Sequence, residues 1–493
     1  MITIGVALSV LIVLVVGIAV ARKVDGDSAN YLVAGRSLGV PLVAICLTTA
    51  AVDSNATVGN TDLSASLGFW AGASLAIGLA ICLLLAGLFL AKPMNRMGLF
   101  TLGDFFARRY NRPVEVVASV LMIFAFTILL AGNLVAMGFL IERFTSLSYD
   151  AGVVLAVALV LAYTIGGGLY SDAYTSVIQA VITGVGTVTL FVWVAVHYGL
   201  AVPAGMGPFD LGQLTDPGQG AVINWATLVS LGVGDLVAID FMQRIFAAKT
   251  PEAAQKACFI GAGATATIGV LWSLIALSSV VKLGLSVDDG PVMYQLLGDH
   301  APILLAILSL SGIVAASFST ASGAILATSA VAVRNIAGVR REVAPGHHDP
   351  LLRWTRLAMI PIVLIGILLA IRVSQTGILL TLAFDLMLVC LIAPFLLGLF
   401  WKRSTSTAVL VAAGTGLVLR LVLLALTPTL YGVPNDLLYI DNNLIQAGFD
   451  GWATLLTAAV SVAVFIGASL LTRPDTVEEA DLRAADRFAV LAD

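Results

Sequence analysis

Ala50-Ala51-Val52-Asp53-Ser54-Asn55-Ala56-Thr57-Val58-Gly59-Asn60 is a polar, glycine-interrupted run set inside a long apolar segment. It reads as a transmembrane helix broken near its middle. One unpaired Asp at the centre of a spanning helix costs roughly 2.5–3.5 kcal/mol on insertion scales, so Asp53, Asn55 and Thr57 together are expected to face the protein interior. A helix that unwinds in a membrane frees carbonyls that cations or substrates can satisfy. Polar contacts that merely glue helices together are the competing explanation.

The surrounding composition fixes the class. A chain of 493 residues with 59% hydrophobic and 11% charged residues is far from soluble domains, which carry about 25% charged residues. An all-α, polytopic membrane protein is expected, embedded in a lipid bilayer as one membrane domain. The net charge of −4 gives no sign of a nucleic-acid partner. Cys46, Cys82, Cys258 and Cys390 sit singly in apolar runs, which disfavours disulfides and zinc. The histidines (His197, His300, His347, His348) fall at segment ends or in loops. No nucleophile, base or metal cluster emerges at membrane depth, so an enzyme is not expected. The first apolar run is long for a signal peptide and is kept as a mature helix.

Apolar segments fall near 2–22, 38–66, 70–92, 113–143, 149–167, 171–197, 222–246, 253–284, 302–333, 352–372, 376–400, 405–427 and 452–472, thirteen in all. With the amino terminus outside, all but four of the 25 Lys and Arg residues collect on the inner side, as cytoplasmic loops require. The four are Arg143, Lys282, Arg372 and Arg420. A plasma membrane location (the inner membrane in a bacterium) with a cytoplasmic carboxyl terminus follows as an expectation. The inner loop 93–112, with Phe-Phe-Ala-Arg-Arg-Tyr, reads as an interfacial helix.

A second interruption, Gly232-Val233-Gly234-Asp235, comes five segments after the first. Glycine-broken spans at corresponding places in successive five-helix units point to inverted repeats with a site between them. Glycine used for close helix packing explains them too. The expected organisation is a first helix and loop (1–37), a first repeat (38–197), a second repeat (198–400), two accessory helices (401–473) and a cytoplasmic tail (474–493). Segment nine contains Ala315-Ala316-Ser317-Phe318-Ser319-Thr320-Ala321-Ser322-Gly323. Its adjacent hydroxyls suit a hard monovalent cation, which takes several neutral oxygens, although small-residue helix packing gives a similar composition.

Four further stretches carry a resemblance. They are Tyr31-Leu-Val-Ala-Gly-Arg-Ser-Leu-Gly39, Thr101-Leu-Gly-Asp-Phe-Phe-Ala-Arg-Arg-Tyr110, Tyr163-Thr-Ile-Gly-Gly-Gly-Leu-Tyr-Ser-Asp-Ala-Tyr-Thr-Ser-Val-Ile-Gln179 and Gln243-Arg-Ile-Phe-Ala-Ala-Lys249. In this order, from about Asn30 to Arg403, the chain resembles the sodium:solute symporter family. The resemblance implies thirteen helices, an outside amino terminus and a LeuT-like 5+5 inverted-repeat core. It also implies a sodium ion (Na+) held by backbone oxygens of Ala51, Ser54 and Ala316 and the hydroxyls of Ser319 and Thr320. Many members have Thr-Asp where this chain has Thr175-Ser176, the acid serving a second sodium. Here Asp172, four residues earlier on the same helical face, could substitute, or it could be a solvated acid at the helix end.

The wording Gly-Gly-Leu-Tyr-Ser-Asp-Ala-Tyr-Thr and the ending Ala86-Gly-Leu-Phe-Leu-Ala-Lys-Pro93 look most like the choline-carrier branch. Trp70 could form one wall of a quaternary-ammonium cage, but the seventh segment offers only Phe241, so no solute is carried over. Asp53, Asn55, Thr57, Trp70, Asp240 and Asp385 are the solute-binding candidates, with Asp62 and Asp235 nearby. A cationic or zwitterionic solute, or a proton, would suit so many acids; Asp235, Asp240 and Asp385 could equally cap helices at the breaks. Arg420 is expected to pair or snorkel. Sodium-coupled symport of a small polar organic solute by alternating access is the expected function. A proton-coupled carrier, or a channel or sensor on the same fold, remains open, as does the oligomeric state.

Overall fold

The computed structural model describes residues 1–341 and 349–473, and the tail expected at 474–493 lies outside them. In chain order the main helices are α1 (Ile2–Val20), α2 (Val40–Ala51), α3 (Asn60–Leu67), α4 (Phe69–Leu85) and α5 (Arg112–Phe144). Next come α6 (Tyr149–His197), α7 (Ala221–Gly232), α8 (Ile239–Ala247), α9 (Pro251–Leu283) and α10 (Ile303–Val331). Finally, α11 is Pro350–Arg372, α12 Thr376–Phe400, α13 Ser406–Leu426 and α14 Asp450–Leu471. Among the described residues ten helices are long and apolar enough to cross a membrane, and two bent pairs raise the number to twelve. The 49 residues of α6 would run about 74 Å as one rod, more than twice the roughly 30 Å hydrocarbon core. Gly168 leaves the helical region there (φ 50°, ψ −137°). The thirteen spans expected from the sequence are reached only by counting α6 as two.

Local chemistry starts these helices in a repeated way. Asn111, Thr250 and Asp349 each cap a helix through the side chain, with Pro in the first turn behind it. The caps satisfy amides that the helix start leaves free, and proline has no such amide to lose. Helix α12 is buried along nearly its whole length, and α5, α6, α9 and α10 pack around the two broken spans. By contrast, α1, α11, α13 and α14 leave most of their length unburied, as lipid-facing helices do.

The loop expected to form an interfacial helix does otherwise. Gly103–Arg109 is helical, but Phe105 and Phe106 are buried and meet Phe395 of α12 edge-on or tilted. Arg109, buried as well, donates to the carbonyls of Gly398 and Ser404. Satisfied carbonyls at the end of α12 hold this helix inside the protein instead of along the membrane surface.

Candidate functional site

Both interruptions found in the sequence are breaks in the structure. Val40–Ala51 and Asn55–Leu67 meet at 55°, and Ala221–Val237 and Ile239–Ala247 at 49°. At the first, Val52 leaves the helical region (φ −98°, ψ 63°) and a π-helical turn, Asn55–Gly59, begins the outer half. Among the described residues, no backbone amide returns to the carbonyls of Thr49, Ala50 or Ala51. At the second, Gly234–Val237 forms a 3-10 turn and Ala238 is extended. Gly234 lies against the Phe384 carbonyl of α12, where a Cβ would collide.

Asp53 is the organising group of the first break. One carboxylate oxygen accepts from the Ala56 amide at 2.8 Å, the N-cap geometry for the outer half-helix. Its other oxygen accepts from Asn55 at 2.9 Å and from Asn133 of α5 at 2.7 Å. Asn133 in turn accepts from the Ser54 hydroxyl, and Thr57 donates to the Asp53 carbonyl. Asp53 therefore shapes the break through its own hydrogen bonds.

The end of α2 meets α10. Thr320 donates to the Ala50 carbonyl at 3.0 Å, and the Ser319 hydroxyl lies 3.1 Å from both Thr49 and Ser176 hydroxyls. Ala51, Ser54 and Ala316 are buried as well. Neutral oxygens from three helices converge there, the donor set a hard monovalent cation takes. Thr49 was missed in the sequence, where it looks like one more small polar residue in an apolar run, and Ser176 was noted only as standing where many family members have an acid.

The other candidates divide. Asp240 lies 3.0 Å from Arg244, and the same guanidinium lies 3.0 Å from Asp172. The remaining oxygen of Asp172 accepts from Ser322 at 2.6 Å. This buried triad pairs Asp172 and Asp240 with one arginine, so Asp172 is not the solvated acid at a helix end that was one of the two expectations for it. Asp385 pairs with Arg420, and Arg420 pairs as expected. Trp70 stands in the first turn of α4, its indole donating to the Pro208 carbonyl and its amide to the Gln213 side chain. Asp62 accepts from the Val292 amide. Asp235, by contrast, is buried with neither carboxylate oxygen hydrogen-bonded.

The two ends of the molecule differ. On one, Leu38 donates to the Ala247 carbonyl and accepts from the Lys249 amide. Asn95 donates to the Ile245 and Ala248 carbonyls, and Arg36 spans the Phe246, Gly98 and Leu99 carbonyls. Burial lowers Arg36 to about 10, so it stays protonated at neutral pH and keeps donating. On the opposite end a cavity of about 300 Å³, lined by Val58, Gly59, Asp62, Gly377 and Ile378, reaches the outer half of the first broken span.

Known proteins share this fold. A Na+-coupled sialic acid symporter in a substrate-bound outward-open state superposes with a TM-score of 0.76 at 16% identity, over 96% of this chain and 98% of that one. A nucleobase-cation-symport-1 family transporter in a closed conformation gives 0.56 at 15% identity, over 92% and 98%. In sequence, the high-affinity choline transporter 1 of Caenorhabditis elegans is 26% identical over 83% of this chain and 76% of its own length. The human high affinity choline transporter 1 is also 26% identical, over 66% of this chain and 60% of its own length. The fold is the LeuT-type fold expected. The family model matches residues 31–416; the chain belongs to the sodium:solute symporter family and is a sodium-coupled solute symporter.

Proposed function

We propose that sodium binds where the end of α2 meets α10, with the Ser319 and Thr320 hydroxyls and carbonyls of the broken segment as ligands, Ala51, Ser54 and Ala316 included. A small polar organic solute then binds between the two breaks. The observation that carries this is the Thr320 hydroxyl on the Ala50 carbonyl, with Ser319 beside it. Sodium takes over oxygens that otherwise bond each other, and so ties α2 to α10. The outer half of the broken span is ordered first, and the solute joins it. Relaxing the Leu38–Lys249 seal while closing the Asp62 cavity exposes the site to the other side. With the amino terminus outside, this is import at the plasma membrane. One sodium moving down 100 mV gains about 2.3 kcal/mol, enough for roughly fifty-fold accumulation. The similarity to choline transporters makes choline the first solute to try.

The test compares unfolding midpoints of the purified protein in matched sodium and potassium buffers, since a ligand of the folded state stabilises it by mass action. Sodium is expected to raise the midpoint of the wild type and not that of Ser319→Ala/Thr320→Ala. An equal sodium effect in the variant removes these ligands. No sodium effect in the wild type removes the coupling ion from this site.

A further inference from the structure

Four carboxylates gather at the breaks: Asp53, Asp172, Asp235 and Asp240. Asp172 and Asp240 share Arg244, and Asp53 accepts three hydrogen bonds. Asp235 has none of this. It is 1% exposed, and neither of its oxygens meets a donor. The expected capping role is not there either, because no backbone amide bonds its side chain, as Ala56 does for Asp53 and Phe241 for Asp240. The one donor that approaches it is the Cys82 thiol, too weak a donor to balance a carboxylate and outside normal hydrogen-bond geometry. Asp53 and Asp240 lie within electrostatic reach and add negative charge. When ionised, the four acids outnumber the one arginine by three, and a single sodium bound by neutral oxygens at α10 leaves two. A buried carboxylate is tolerated when it is paired.

We propose that Asp235 is the counter-charge for the transported solute, and that the solute is a small organic cation of the ammonium class held between the two helix breaks. This deepens the symport reading above and rests on it. The 3-10 turn that carries Asp235 follows Gly234, whose missing Cβ lets the turn sit directly on α12. At this turn the acid's electrostatic neighbours are Cys82 of α4 and the break acids Asp53 and Asp240. An ammonium group would find a full carboxylate there, and a neutral solute of the same shape would leave that charge unpaired.

The experiment uses the full-length protein in detergent with saturating sodium. Choline, tetramethylammonium and ethanolamine are titrated while unfolding is followed, each cation beside a neutral analogue of its shape, 3,3-dimethylbutan-1-ol standing for choline. At least one cation is expected to raise the unfolding midpoint and its neutral analogue not to. Asp235→Asn is expected to weaken that cation by about tenfold or more, the scale of a lost buried charge-assisted bond, while sodium still stabilises the variant. Asp235→Glu is expected to retain part of the affinity. If no cation stabilises, if neutral analogues do as well, or if Asp235→Asn binds unchanged, the proposal is overturned. The comparison of cation with neutral analogue needs no variant, so a misfolded Asp235→Asn does not rescue it. Wild-type stability that varies with pH near neutrality, and does not in Asp235→Asn, would assign the site to a proton and also overturn it. Loss of sodium stabilisation in the wild type is a separate result that tells against the sodium site alone.

Discussion

Arg244 shows how one residue sets the character of its neighbourhood. Its guanidinium is fully enclosed and joins Asp240, one turn away on α8, to Asp172 on α6. Breaking a buried ion pair by removing one partner costs about 3–5 kcal/mol, because the partner charge stays behind. Arg244→Met should therefore lower stability by about that amount, measured as unfolding in detergent. Adding Asp172→Asn and Asp240→Asn to it should restore most of the loss, since the stranded charges go too. An Arg244→Met protein as stable as the wild type would mean that the triad carries no such strain. The i,i+4 half of the triad was legible in the sequence. Its other half spans 72 positions, and nothing short of the packing of α6 on α8 reveals it. This is also why Asp172 could be read as an ion ligand, and Asp235 and Asp240 alike as site acids or as caps. Apolar surroundings mark an acid as costly, but only the fold says which acids find a partner.

At the scale of elements, the glycine interruptions were the most legible feature, because a helix that must bend in a membrane has few ways of doing so. Gly168 is the clearest case. Its φ of 50° is a left-handed value, and a Cβ there would run into the Tyr31 carbonyl. Gly168→Ala is expected to cost about 1–3 kcal/mol and to lower the yield of folded protein. Gly184 lies on the same helix with ordinary φ and open space around its Cα, so Gly184→Ala should be neutral or stabilise by up to about 1 kcal/mol. Comparable losses at both positions would show that the strain is not specific to the break. The Gly103–Arg109 helix was misjudged for a reason at this same scale. Two phenylalanines beside two arginines read equally well as a membrane-surface face and as a face buried against α12, and the carbonyls that Arg109 satisfies are almost 300 residues away.

For the molecule as a whole, the two ends differ in what closes them. Backbone and amide hydrogen bonds seal the end that holds Leu38, Asn95 and Ala248, whereas the Asp62 end carries an open cavity. From the distribution of Lys and Arg the sealed end is expected in the cytoplasm, and the cavity then faces outside, toward arriving solute. All four native cysteines are buried, which gives a quiet background for labelling. Ser66 is exposed and lines the cavity, and Arg22 is exposed at the sealed end. Ser66→Cys in intact cells should react with a membrane-impermeant maleimide, while Arg22→Cys should react only after the membrane is opened. The reverse pattern would invert the protein in the membrane and turn import into the opposite direction. Sodium and solute together should also slow labelling of Ser66→Cys, because binding that orders the outer half of the first broken span narrows the cavity that span lines. Labelling that is indifferent to both would separate the cavity from the transport cycle, even with the orientation upheld.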